Sequence, residues 1–304
     1  MEVRSLITDP LEIEHAIKNI DISPEELAAM IDHTKLKPYE TQDSIKKLCE
    51  EARKYNFATV CVHPIWISLA KQQLKNTNIK VDTVIGFPLG STLPNVKAWE
   101  AKKTLEEGAD ELDMVINIGA LREGNYRLVE EDIKGVVQTA KEYGAIVKVI
   151  LEVGYLTDEQ IIEACQIAKR AGVDYVKTAT GFGPMGATIH HVKIMRNAVG
   201  KEVGVKAAGG IRNFKDALRM IAAGANRIGT STGVDVIESY KQAKQNGIKF
   251  EIEKVPCKLC PVTSASTKSM PKEVYIYYKN KCLKCKYKDI HDKFYGNRGE
   301  NLKF

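Results

Sequence analysis

No hydrophobic run in this chain approaches the roughly 20 residues that a membrane-spanning helix needs. The first residues, MEVRSLITDPLEIEHAIKNI, lack the basic start and apolar stretch of a secretion signal, which points to the cytoplasm. Charge of one sign is missing from the main body. Residues 251–304 hold 12 Lys/Arg and 6 Asp/Glu, so residues 1–250 hold 33 of each and make no electrostatic case for nucleic acid. The net charge of +6 belongs to the tail, and the tail alone could touch RNA or DNA. Cysteine is sparse in the body: Cys49, Cys61 and Cys165 are isolated and read as small buried residues. No dinucleotide fingerprint follows the first strand-like run, which argues against an open doubly wound sheet. His63, His190 and His191 lack a metal-ligand pattern and read as satisfied polar residues.

What is present is a regular series. Strand-like segments lie at MIDHT (30–34), ATVCVHP (58–64), KVDTVIGF (80–87), ELDMVINI (111–118), IVKVILEV (146–153), YVKTAT (175–180), VGVKAAG (203–209) and RIGTS (227–231). They are rich in Val and Ile and often unbroken, as strands buried on both faces are. Amphipathic stretches such as SIKKLCEEARKYN and DEQIIEACQIAKRAG separate them, with apolar residues spaced three and four apart. Eight strands alternating with eight helices predict a (β/α)8 TIM barrel over residues 24–250. Residues 1–23 form an N-terminal helical extension, with a first helix over about 9–19 and a capping box at Ser23 and Glu26 opening the next. Residues 251–304 form a small appendage.

In such a barrel the chemistry lies at the C-terminal ends of the strands. Two lysines fall there, Lys177 in YVKTATGFG and Lys206 in VGVKAAGGIR, one strand–helix unit apart. A lysine in an apolar strand is costly unless paired or neutral. Two such amines side by side repel, which lowers the pKa of at least one and favours Schiff-base chemistry on a carbonyl. Asp113 in LDMVIN needs a cation partner, for which Lys206 is the candidate, and Glu152 in VILEVG suits a pair with either lysine. Glycines close the later strands. Gly209, Gly210, Ser231 and Thr232 in GGIRN and GTSTG stand where barrels often hold a phosphate, with Arg212 nearby.

These segments resemble the class I (Schiff-base) deoxyribose-phosphate aldolases. The resemblance covers roughly residues 24–245 and takes in IDHTKLKP, ATVCVHP, VIGFPLGS, GADELDMVINIGAL, VKVILEVGYLT, DYVKTATGFG, VGVKAAGGIR and RIGTSTG in that order. It implies reversible, metal-free cleavage of 2-deoxy-D-ribose 5-phosphate to D-glyceraldehyde 3-phosphate and acetaldehyde. It further implies that Lys177 is the Schiff-base lysine and that Lys206 depresses its pKa. Asp113 would move protons with Lys206 and water. Asp32 and Thr34 would bind or orient the substrate, and Gly181, Gly209, Gly210, Ser231 and Thr232 would line its site. Spacing alone does not say which lysine is the nucleophile; the resemblance supplies that. Ala179 and Ala208 depart from it, standing where serine is frequent. Two rival readings stay open: a Schiff-base aldolase for another short aldehyde or phosphorylated substrate, and a nucleic-acid-binding protein on an inactive barrel. A homo-oligomer is expected, with the tail surface against a neighbouring subunit.

The tail reads CKLC, then a 21-residue interval, then CLKC. Cys257, Cys260, Cys282 and Cys285 suggest a four-thiolate zinc site, with VYIYYK between them as a strand of a zinc-ribbon-like unit. Two disulfides or an iron–sulfur cluster are the alternatives.

Overall fold

The computed structural model describes residues 10–247 and 270–283. Eight parallel strands close on one another in chain order: β1 (Ile31–Lys35), β2 (Thr59–Val62), β3 (Lys80–Ile85), β4 (Glu111–Val115), β5 (Ile146–Ile150), β6 (Tyr175–Lys177), β7 (Gly204–Ala208) and β8 (Arg227–Thr230). The ring is sealed where Ile31 of β1 lies opposite Ile228 of β8. Helices α1 (Pro10–Lys18) and α2 (Pro24–Ala28) precede the barrel. The helices between strands are α3 (Gln42–Tyr55), α4 (Ile67–Gln73), α5 (Pro94–Glu106), α6 (Ile118–Arg122), α7 (Tyr126–Tyr143), α8 (Asp158–Ala171), α9 (Ile189–Val199) and α10 (Phe214–Ala222), with α11 (Gly233–Asn246) after β8. The predicted (β/α)8 barrel is therefore the observed one, with two helices rather than one between β4 and β5. Among the described residues no helix is long and apolar enough to cross a membrane.

The helix starts follow local chemistry. Ser23 and Glu26 form the expected capping box of α2. Thr157 and Gln160 form another at α8, which leaves at Gly172 in the left-handed conformation. Ile13 and Ile17 of α1 are buried in the main core, and the Tyr240 hydroxyl of α11 donates to the Ile22 carbonyl at 2.8 Å.

Strand alternation divides the barrel into two environments. Val60, Val81, Leu112, Met114, Val147, Val149, Val176, Val205 and Ile228 turn outward and pack beneath the helices in one continuous core. The intervening positions turn inward, and eight of them are ionisable. Asp32, Asp82, Glu111, Asp113, Lys148, Lys177, Lys206 and Arg227 meet inside the barrel as four carboxylates against four cations.

One element differs from its sequence reading. VYIYYK is not a strand; it lies within a C-terminal helix, Lys272–Leu283. A strand would bury Val274, Ile276 and Tyr278 on one face. Instead Val274, Tyr275 and Tyr278 are buried and Ile276 is 41% exposed, which is the spacing of a helix face. Of the four tail cysteines, Cys282 falls in the last turn of this helix, while Cys257, Cys260 and Cys285 lie outside the described residues.

Candidate active site

β6 and β7 lie side by side with Lys177 directly opposite Lys206. Both side chains turn into the barrel, where one carboxylate oxygen takes both. Oδ2 of Asp113 stands 2.6 Å from Lys177 Nζ and 2.7 Å from Lys206 Nζ. The other oxygen of Asp113 accepts from Lys148 Nζ at 2.9 Å. Lys206 also reaches Asp32 at 2.5 Å and Asp82 at 3.1 Å, and Lys148 binds Glu111 at 2.7 Å. Arg227 closes the network at its lower end, donating to Asp32 at 3.0 Å and to Glu111 at 3.2 Å.

The electrostatics of this floor follow from these pairs. Burial opposes charge on Lys206, but Asp113, Asp32 and Asp82 outweigh it and raise its pKa. Lys206 therefore stays a cation beside Lys177. Burial also opposes charge on Asp113, yet Lys148, Lys177 and Lys206 hold its carboxyl well below the usual range. Asp32 behaves alike: Lys206, Lys148 and Arg227 overcome its burial and bring it to about 2. Asp82 goes the other way. Its burial, reinforced by the nearby Asp113 charge, raises it to about 6 despite Lys148 and Lys206.

Above this floor opens a cavity of about 450 Å³. Lys177 lies at its base, Thr34 on one wall, and Gly181, Gly209, Gly210, Ser231 and Thr232 on the others, together with Arg212. Gly209 and Gly210 have φ of 93° and 81°, a backbone that side-chain-bearing residues rarely adopt and that lets the chain approach a ligand closely. Thr232 precedes the first turn of α11 without capping it through its side chain, so the leading amides of that 14-residue helix remain open. Asp32 is not on the cavity wall. Being two residues before Thr34, it turns inward one layer lower, where it holds Lys206 and Arg227.

Other sequence candidates find different partners. Glu152 makes hydrogen bonds with the amide and hydroxyl of Thr180 rather than an ion pair with either lysine, and burial raises its pKa. His63 bonds the Leu36 carbonyl at 2.9 Å, and His190 bonds Asp158 at 2.9 Å, outside the lysine site. Sequence reading overlooked Lys148, Asp82, Glu111 and Arg227. Lys148 carried the same signal as the two lysines that were noticed, a lone ammonium in an apolar strand. Cys61, Asp82 and Asp113 place donor atoms within 4.8 Å of one another, the spacing of a metal site. The carboxylates of that trio are already bound by Lys148, Lys177 and Lys206, which compete with any added cation.

Comparison with known proteins agrees with this geometry. The DeoC/LacD family aldolase domain matches residues 27–239. A deoxyribose-phosphate aldolase of Thermococcus gammatolerans is 58% identical over 221 residues, 72% of this chain and 98% of that protein. Another, from Thermococcus kodakarensis, is 59% identical over 215 residues, 70% of this chain and 96% of that protein. Among solved structures, the tetrameric deoxyribose phosphate aldolase of Aeropyrum pernix superposes with a TM-score of 0.72 at 36% identity, covering 77% of this chain and 99% of its own.

Proposed function

The chain belongs to the DeoC/LacD family of aldolases, and from that premise we infer a deoxyribose-phosphate aldolase whose nucleophile is Lys177. The enzyme is a lyase that reversibly cleaves 2-deoxy-D-ribose 5-phosphate to D-glyceraldehyde 3-phosphate and acetaldehyde. It needs no cofactor for catalysis. The observation that carries the residue assignment is the Asp113 oxygen shared between Lys177 and Lys206 at the base of the cavity.

In the cleavage direction, the Lys177 amine adds to the C1 aldehyde of the open-chain sugar. The proton lost from nitrogen has an acceptor 2.6 Å away in Asp113. Loss of water from the carbinolamine leaves an iminium. The C2–C3 bond then breaks: its electron pair moves toward the iminium to form an enamine, and the C3 hydroxyl gives up its proton as glyceraldehyde 3-phosphate departs. Protonation of the enamine at C2 and hydrolysis of the new iminium release acetaldehyde and free Lys177. Lys206, held charged by three carboxylates, supplies fixed positive charge, and protons move through Asp113 and water beside it. The phosphate occupies the amides of Gly209 and Gly210 and the hydroxyls of Ser231 and Thr232, with the positive end of the α11 dipole behind it. Thr34 and Gly181 line the sugar's path. Asp32 orients the substrate indirectly, by fixing Lys206.

Borohydride added with 2-deoxyribose 5-phosphate should trap a covalent adduct on Lys177, located by peptide mass mapping. Lys177→Ala should abolish both turnover and adduct, and Lys206→Leu should reduce kcat by at least about a hundredfold. Normal turnover in either variant would refute the assignment.

For the C-terminal segment we propose a structural zinc held by Cys257, Cys260, Cys282 and Cys285. The donor set supports it: two Cys-x-x-Cys pairs offer four thiolates, the ligand type of closed tetrahedral zinc. Because the intervening segment includes a helix, the unit is not a ribbon of strands. Metal analysis should find about one zinc per chain, lost when Cys257 and Cys282 are both replaced by serine. We also propose a homo-oligomer. Leu93 and Trp99 on and beside α5 are 65% and 61% exposed, an apolar stripe suited to a second copy.

A further inference from the structure

The family match ends at residue 239, and the C-terminal helix lies wholly beyond it. The relatives compared above match over 221 and 215 residues, 98% and 96% of their own length, so they have little chain beyond the length of the family domain. The position of the C-terminal helix is specific. The helix lies across the rim beside β5 and β6, against the loop that leads from Lys177 into α9.

The contact is both apolar and polar. Met270, Val274, Tyr275 and Tyr278 form a small core with Met185 of the β6–α9 loop. At its centre the Tyr278 hydroxyl, itself buried, meets three separate pieces of the barrel. It stands 3.0 Å from Asp158 Oδ1 on α8, 3.2 Å from the Leu156 carbonyl after β5, and 2.9 Å from Nε2 of His191 on the first turn of α9. Asp158 and Leu156 offer only acceptors, so the hydroxyl proton goes to them and His191 donates to the hydroxyl oxygen. His190 approaches the same Asp158 carboxylate at 2.9 Å. Tyr277 donates to Glu159 at 2.9 Å, and Arg122 of α6 pairs with Glu273.

The β6–α9 loop is the segment these contacts bracket. It carries Thr180, Gly181 and Phe182 on the cavity wall. Its far end leans on the β7 glycine loop. The Ala187 amide donates to the Gly209 carbonyl at 3.0 Å, and a Cβ on Gly186 would collide with the Gly209 backbone. Movement of the loop therefore shifts both the wall above Lys177 and the glycines assigned to the phosphate.

We propose that the C-terminal helix is a strap that holds the β6–α9 loop for catalysis, and that Tyr278 is its positioning residue. The inference rests on the aldolase reading above but concerns a part of the chain that reading does not use. Tyr278 touches no reacting atom. It acts through Met185, Asp158 and His191 on the loop that follows the Schiff-base lysine.

The test is Tyr278→Phe in the full-length chain, which keeps the ring and removes the hydroxyl. Expected are a fall in kcat of roughly tenfold, as for small misplacements of a reacting group, and faster amide hydrogen exchange at residues 178–188 with the barrel strands unchanged. A kcat within about twofold of the parent would overturn the proposal, even with a lower melting temperature, because packing alone would then be the helix's role. A lowered kcat without faster loop exchange would overturn it equally. Should Tyr278→Phe fail to fold, Val274→Ala thins the same contact with Met185 and carries the same two expectations. Failure of the aldolase reading would show differently: the parent chain would give no borohydride adduct on Lys177, whatever its loop exchange.

Discussion

Lys148 illustrates how much of this site is support. It is fully buried, touches none of the cavity, and binds Asp82, Glu111 and Asp113 at 3.0, 2.7 and 2.9 Å. Those carboxylates, with Asp32, outweigh the cost of burial and raise its pKa. Its removal leaves buried carboxylates short of a partner. Lys148→Met should lower stability by about 3–5 kcal/mol, measured by urea unfolding. Asp82 gives a pH signature. It keeps its proton up to about pH 6 in the folded chain, whereas an ordinary aspartate loses it near 3.8. Between those values the folded form binds more protons than the unfolded one, so the contribution of Asp82 is fully present below the lower value and lost as pH rises through about 6. Asp32 has the opposite sign, because its pKa falls to about 2: its contribution is present above 3.8 and lost as pH falls through 2. Unfolding of the parent and Asp82→Asn between pH 4 and pH 6.5 should show a downward slope with rising pH that the variant lacks. Lys177, Lys206 and Asp113 were legible as residues because charge in an apolar strand demands a reason. Which carboxylate pairs with which amine was not legible, since alternation gives a direction along one strand but not the neighbour across the barrel.

At the scale of elements, helix ends were the most readable feature. Thr157 caps α8 and Gln160 reaches back to it, and the same turn presents Asp158 to the C-terminal helix. Thr157→Ala should cost about 1 kcal/mol in urea unfolding, and it should quicken amide exchange in the first turn of α8. The C-terminal helix was the least readable element. Tyr and Val favour strands by propensity, and VYIYYK has no polar interruption to fix a period. Burial decided the matter, since a helix lets Val274, Tyr275 and Tyr278 reach Met185, Asp158 and His191 together. Glu152 was misjudged for a related reason. Its backbone adopts φ of 54°, and its side chain bonds Thr180 instead of pairing with a lysine. Residue type gives no warning of that conformation.

At the scale of the whole molecule, residues 1–250 balance to zero charge and a basic tail follows them. Scattering in solution should give a mass that is a multiple of 33.8 kDa. The double substitution Leu93→Asp and Trp99→Asp should shift it toward the single chain if α5 is the contact. By itself the sequence determined the eight strand–helix units, their order and therefore the rim on which Lys177, Lys206 and the glycine loops gather, because hydrophobic period and turn chemistry are local properties that add up along the chain. Only the tertiary structure decided that the barrel interior is a balanced network of four acids and four bases, that Lys206 is held charged, and that the C-terminal helix grips the loop beside Lys177. Those facts depend on distances between residues up to 195 positions apart, as for Arg227 and Asp32, and electrostatic energy follows distance in space rather than along the chain.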